Sequence, residues 1–317
     1  MKKLVYYIGI LVCTGIFLSS CIAEDMSNCP PDNFVLQFVL VPHEGNDGII
    51  NESLYTAKLF VFNAADTLVA TYHIDVKPEL NKIYVPDWGL LPGKYTYVAW
   101  INYNRGPFEV DPAILGETTR TQMLLRHLIP KSSIVDNTQE TPILCFGQLA
   151  GDLLDTPNQL ITIPVMQFTN KINLTMKGLK NELFTRASTE INHQYEFAIT
   201  DNNGVYGFDG EFIHHDHFTY STTKYADSDT LNASLTVLKL AENRQPVVTV
   251  TNQTTGVQIF TGNLVQYILA SNPNNDFDTT HVYDIVIDFG DGEMDIPVTI
   301  TINGWVLDSA NYELNIN

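Results

Sequence analysis

Basic side chains are scarce in this chain. Seventeen lysines and arginines face 36 aspartates and glutamates, a formal net charge of -19. Such a surface repels polyphosphates and bare anionic lipid, which excludes nucleic acid as a partner. Arginine is missing altogether between Cys21 and Arg105. Beyond Cys21 no segment is apolar over enough residues to span a bilayer. Catalytic signatures are missing too: there is no G-x-S-x-G elbow, phosphate loop, Rossmann fingerprint or His-Glu-x-x-His helix. The expectation is a non-enzyme with no catalytic residues, no cofactor, no metal and no small-molecule substrate.

What the chain does have begins at its start. Lys2 and Lys3 precede a long uncharged apolar run that ends in Leu18, Ser19, Ser20 and Cys21. The run is too short and wrongly flanked for a stable spanning helix and reads as a secretory leader, residues 1–20. Small residues before a cysteine at the cleavage point form a bacterial lipobox. Cys21 is therefore the expected lipidation site, and several acyl chains there hold a membrane as one chain cannot. Removing Lys2 and Lys3 leaves the mature part still more acidic. Glu24 and Asp25 follow the lipidation site. They read either as a solvated linker or as the acidic export signal that they resemble, that of Bacteroidales surface lipoproteins.

Four cysteines occur in all. Cys13 leaves with the leader and Cys21 takes the lipid, so Cys29 and Cys145 remain. Outside the cytoplasm the two can form a disulfide. Closing so long a loop is worth about 4.7 kcal/mol in the chain-entropy model. Otherwise Cys145, between Leu144 and Phe146, is a buried thiol and Cys29 an exposed one. Two isolated cysteines make a poor metal site.

Strand patterns dominate the rest. Phe34 to Val41 alternates with period two. Further strands are expected at Ala57–Phe62, Leu68–Ile74, Tyr95–Ile101, Leu160–Val165, Lys171–Met176, Tyr195–Thr200, Leu235–Leu240, Val247–Thr251, Val282–Phe289 and Val298–Ile302. They are rich in Val, Ile, Thr and Tyr, and bounded by Gly, Pro, Asn or Asp. The expected class is all-β, with antiparallel β-sandwiches. Short helices are expected at Thr121–Leu128 and Leu264–Leu269. The length suits two domains. Their division is placed after Ile163-Pro164-Val165, giving a linker at 21–32, an N-terminal sandwich at 33–165 and a C-terminal one at 166–317. In LLPGKYTYVAWIN (Leu90–Asn102), Pro92-Gly93 is read as a turn with Gly93 tolerant of positive φ. Beyond it Tyr95, Tyr97, Ala99 and Ile101 point one way and Thr96, Val98 and Trp100 the other. Either face can be buried, so a central strand is expected, its aromatics in the core. Trp305 either packs or sits on a partner-facing edge.

Six stretches in order resemble the FimB-type fimbrial anchor family, the anchor subunits of Bacteroidales type V fimbriae. They are CIAEDMSNCPP (Cys21–Pro31), LLPGKYTYVAWIN, ILCFGQL (Ile143–Leu149), FTNKINLTMKGL (Phe168–Leu179), HQYEFAITDNNGVYGFDG (His193–Gly210) and ITINGWVLDSANYEL (Ile300–Leu314). The resemblance implies two transthyretin-like β-sandwich domains after a lipoprotein signal peptide. It implies a lipid-tethered protein of the outer membrane, surface-exposed, that anchors a fimbrial shaft subunit and ends filament growth. It also implies partnership by β-strand addition, in which an extended segment completes another subunit's sheet. Shaft subunits resembling this family lose their first strand to cleavage at an arginine. The first strand here contains none, as expected for one that stays. By the same logic Trp305–Asn317 is the candidate donor strand. Val306, Tyr312, Leu314 and Ile316 supply the alternating side chains, and the other reading makes this the last strand of the second domain.

Other clusters have plainer readings. His214, His215 and His217 around Asp216 can bind zinc or copper adventitiously, but read as a solvated loop. Asp288, Asp291, Glu293 and Asp295 with Gly290 and Gly292 lack the EF-hand spacing and read as a hairpin turn. Asp66-Thr67-Leu68 and Asp229-Thr230-Leu231 look like short O-glycosylation patterns. The rival function is a surface lipoprotein that binds glycan or host protein, as an adhesin or an accessory or tip subunit.

Overall fold

The chain folds as layered β-sheets, and the computed structural model describes residues 34–40, 56–75, 83–85, 89–137, 142–154, 156, 159–179, 193–226, 229–290 and 299–307. The first half contributes β1 (Phe34–Leu40), β2 (Thr56–Asn63), β3 (Leu68–Asp75), β4 (Ile83–Val85), β5 (Gly93–Ile101), β6 (Phe108–Val110), β7 (Leu124–His127), β8 (Ile134–Asp136), β9 (Cys145–Leu153) and β10 (Leu160–Gln167). The second half contributes β11 (Thr169–Lys177), β12 (His193–Asp201), β13 (Val205–Gly207), β14 (Phe212–Ile213), β15 (Phe218–Ala226), β16 (Thr230–Leu238), β17 (Val247–Asn252) and β18 (Val257–Asn263). Helix α1 (Leu264–Ser271) follows, then β19 (Val282–Asp288), β20 (Thr299–Ile302) and β21 (Trp305–Val306).

Seven strands of the first half form one sheet in the order β3-β2-β5-β9-β10-β1-β4. Period-two alternation gives it two buried faces. Leu59, Val61, Tyr97, Ala99 and Ile101 pack with Leu36, Ile161, Ile163 and Val165 on one side. Phe60, Phe62, Val98 and Trp100 pack with Phe146 on the other. The central strand expected at Tyr95–Ile101 is β5, flanked by β2 and β9. Its lead-in turn differs from expectation: the left-handed residue is Gly89 (φ 62°), and Gly93 already belongs to the strand.

The second half builds a sandwich from a sheet in the order β16-β11-β19-β20-β21 and another in the order β18-β17-β12-β15-β8. Between them lie Ile172, Leu174, Tyr195, Phe197, Leu235, Val250 and Ile285, among others. Most ladders are antiparallel. Among the described residues three are parallel, and each joins strands distant in sequence: β1 with β10, β11 with β19, and β15 with β8.

Only Phe168 separates β10 from β11, and other ties join the halves. Strand β7 pairs with β13, and β8 with β15, so a segment of the first half is stitched into sheets of the second. Trp100 is fully buried where they meet, its ring centroid 4.7 Å from Phe146, 5.5 Å from Phe168 and 6.3 Å from Phe208. Truncating such a residue to alanine costs about 3–5 kcal/mol. The helix expected over Thr121–Leu128 is instead a single 3-10 turn, Arg120–Gln122, followed by β7. Pairing of Leu124–Arg126 with Val205–Gly207 overrides the weak local preference. The helix expected at Leu264–Leu269 forms as α1, capped by the Asn263 side chain, which accepts from the Gln266 N–H at 3.0 Å.

Two positions give stability tests. Gly147 pairs with Val165, and a Cβ there would lie 2.5 Å from Val165 Cγ1 and 2.7 Å from the Pro164 carbonyl oxygen. Gly147→Ala is therefore expected to cost about 1–3 kcal/mol, read from urea unfolding midpoints at unchanged slope. His127 is buried against Phe108, Phe218 and Tyr220, and this burial holds its pKa down at about 4, against 6.5 for the free side chain. Between those values the unfolded chain binds the proton and the folded one does not. Stability is therefore lost as pH falls from about 6.5 to 4, by up to about 3 kcal/mol. His127→Phe is expected to flatten that part of the stability profile.

Candidate strand-addition site

The two termini of the described chain enter its sheets differently. Strand β1 lies inside the seven-stranded sheet. It pairs in parallel with β10 from Val35–Leu160 to Leu40–Val165, and antiparallel with β4 over Phe34–Leu36. Val35 and Leu36 are buried. Apolar alternation thus seats the strand in the groove between β10 and β4. The ladder of β10 passes from β1 to β9 at Val165, next to Pro164, which has no N–H to donate.

The other terminus sits on an edge. Asn303 (φ 48°) and Gly304 (φ 82°) form a two-residue hairpin between β20 and β21, with Ile302 opposite Trp305 and Thr301 opposite Val306. Two successive left-handed residues define a type I′ turn, for which Asn-Gly is the preferred pair. The Asn303 side chain also closes the neighbouring ladder. Its Oδ1 accepts from the Asp284 N–H at 2.7 Å, and its Nδ2 donates to the Val282 carbonyl at 3.3 Å. The Leu307 N–H donates to the Ile300 carbonyl at 2.8 Å. Alternation then turns the backbone N–H and C=O of Val306 away from β20, towards the open edge. Trp305 and Val306 are 62% and 63% exposed. Of the two readings of Trp305, the structure supports the edge rather than the core.

The edge at β3 is blunted. The start of β3 is covered by residues 114–120: Leu68 donates to the Thr118 carbonyl and Gly116 donates to the Leu68 carbonyl, both at 2.8 Å. Arg120 pairs with Asp66 at 2.8 Å beside them. Covering an edge in this way removes a template for unwanted pairing.

Of the residues singled out from sequence, Val306 lies on this edge. Cys21, Cys29, Tyr312, Leu314 and Ile316 lie outside the described residues. Cys145 is fully buried in the first core, where desolvation pushes its thiol pKa up to about 12. Of the expected Cys29–Cys145 pair, only Cys145 lies among the described residues. Cys145 is level with Gln167, at the far end of the sheet from Phe34, whose neighbour Val35 is level with Leu160. That separation is about 26 Å along the strands.

The histidine cluster is an exposed loop in which His214 packs edge-on against Phe212, and no group of three metal-ligating side chains occurs among the described residues. Sequence reading missed a buried ion pair, Asp201 with Arg244, at the junction. Arg244 also donates to Asn202 at 2.9 Å and lies 3.8 Å above the Phe212 ring. Nothing local pointed to it, because the partners are far apart in sequence. Among the described residues no helix is long and apolar enough to cross a membrane.

Comparison with known proteins agrees with this architecture. A family model described as "Mfa2: Fimbrillin-A associated anchor proteins Mfa1 and Mfa2" matches residues 26–311. The minor fimbrium anchoring subunit Mfa2 of Porphyromonas gingivalis is 28% identical over 238 residues, 70% of this chain and 68% of that protein. The solved structure of the fimbrial anchor protein Mfa2 from Porphyromonas gingivalis superposes with a TM-score of 0.67 at 23% identity, covering 88% of this chain and 99% of that one. A candidate polysaccharide-binding protein (DUF1812) from Bacteroides thetaiotaomicron superposes with a TM-score of 0.73 at 19% identity, covering 88% and 99%. At these identities the structural matches show the fold alone, an all-β architecture of several sheets.

The state of the thiols is directly measurable. Cys145 is expected to resist alkylation in the folded protein and to react fully in denaturant with reductant. Peptide mapping without reductant tests the expected Cys29–Cys145 link: a linked peptide pair bears it out, and an alkylated Cys145 peptide overturns it.

Proposed function

The chain belongs to the family of fimbrillin-A associated anchor proteins Mfa1 and Mfa2, and from that premise we propose how it does its work. Membership supports a fimbrial anchoring role at the cell surface. The finer reading is a tether with its lipid on Cys21 in the outer membrane, a body at 33–165 next to the lipid, and a body at 166–317 towards the shaft. The observation that carries it is the seating of β1. The strand nearest the lipid fills the groove between β10 and β4 with the chain's own residues. A body whose groove is already filled offers no acceptor to a further subunit, and growth ends there. The free edge at Val306 and the residues after it supply the contact to the basal shaft subunit by strand addition.

The donor segment starts beyond Leu307 in this reading, because Trp305–Leu307 is already committed to β20. Tyr312, Leu314 and Ile316 are its alternating side chains. The exposed Trp305 favours the second reading, a surface lipoprotein that binds glycan or host protein through an aromatic at a sheet edge.

Fimbriation separates the two. Cys21→Ser is expected to release fimbriae into the medium, longer than normal. Deleting Tyr312–Asn317 is expected to leave the protein in the membrane and detach the fimbriae. Fimbriae of normal length and attachment in both strains would leave the glycan- or protein-binding reading standing.

A further inference from the structure

An anchor is loaded along its chain, and the topology decides how that load is shared. From the lipid the pull enters the N-terminal end of β1. It leaves the first body at the C-terminal end of β10, crosses Phe168 and enters the N-terminal end of β11. Strands β1 and β10 are parallel, with paired residues from Val35–Leu160 to Leu40–Val165. One strand is drawn towards its N-terminus and its neighbour towards its C-terminus, so the two slide in opposite directions along their common axis.

The same arrangement recurs in the second body. Strand β11 receives the load at Thr169 and runs parallel to β19 from Lys171–Val282 to Lys177–Asp288. The chain leaves β19 at its C-terminal end. Again the neighbours are drawn apart lengthwise. In this geometry the backbone bonds of a ladder share the tension together, whereas a strand pulled sideways loses them one at a time from its end.

We infer that the protein is a force-bearing link whose two bodies hold tension on shear-loaded parallel ladders in series, β1 with β10 and β11 with β19. The inference takes from the anchoring reading only the points where load is applied. Buried side chains reinforce both ladders. Val35, Leu36, Ile161 and Ile163 back the first; Ile172, Leu174, Tyr283 and Ile285 back the second. The β7–β13 and β8–β15 pairings and the Trp100 cluster keep the junction from opening between them. The β20–β21 hairpin lies outside the clamps and, with two paired positions, yields first.

Pulling the purified lipid-free mature chain in optical tweezers tests this without any fimbria. One geometry holds the N-terminus and the C-terminus. The other holds the N-terminus and a thiol at Leu154→Cys in a chain also carrying Cys29→Ser, with the buried Cys145 left in place. Leu154 is 56% exposed, and its N–H bonds the Gln159 side chain at 2.7 Å, at the same end of the sheet as the start of β1. Pulling there peels β1 from β10 sideways. At one loading rate, β1 is expected to come free at a several-fold lower force in the second geometry, and the end-to-end trace to show a small low-force extension before the main ruptures. Equal rupture forces in the two geometries would overturn the inference. A chain that passes this test but fails to retain fimbriae would count against the anchoring reading alone.

Discussion

The parallel ladder between β1 and β10 is the constraint on which the rest of this molecule depends. It joins the first described strand to the last strand of the first sheet. Because β1 carries Val35 and Leu36 into the core, losing it would open the core as well as the ladder. Folding of the first core and seating of β1 are therefore one physical event. A parallel pair needs a long crossover, and here nearly the whole first half of the chain serves as that crossover.

Aromatic packing supplies the second constraint. The first sheet buries both faces, and its outer face is completed by side chains of the second half, Phe168, Tyr206, Phe208 and Leu238. Trp100 is shielded from water only when both halves are in place. The buried Asp201–Arg244 pair lies on the second-half side of this junction, with the guanidinium stacked on Phe212. Such a pair adds little net stability against an apolar alternative, but breaking it leaves an uncompensated charge. The two bodies thus meet through a shared core and two interbody ladders, and at the opposite end of the chain path β21 pairs with β20 alone among the described strands.

Much of this was legible from side-chain alternation. Phe34–Leu40, Thr56–Asn63 and Gly93–Ile101 announce themselves because one face or both must be apolar. Strand β15, FTYSTTKYA, was missed because its Thr and Ser positions weaken the apolar period, although Phe218 and Tyr220 are buried. Strand β7 was mistaken for a helix because four residues carry too little period to decide, and its partner β13 lies far along the chain. The Asn303-Gly304 dipeptide fell between the expected strand Val298–Ile302 and the candidate strand Trp305–Asn317, and its hairpin signal went unread.

Composition and local pattern by themselves determined the all-β class, the acidic character and the family resemblance. These are properties of short windows, in which alternation, turn residues and charge act over a few neighbours. Tertiary structure alone decided which strands are parallel and how the halves share their aromatic core. Those are matters of long-range pairing, and pairing is chosen by the burial that the whole chain can achieve at once.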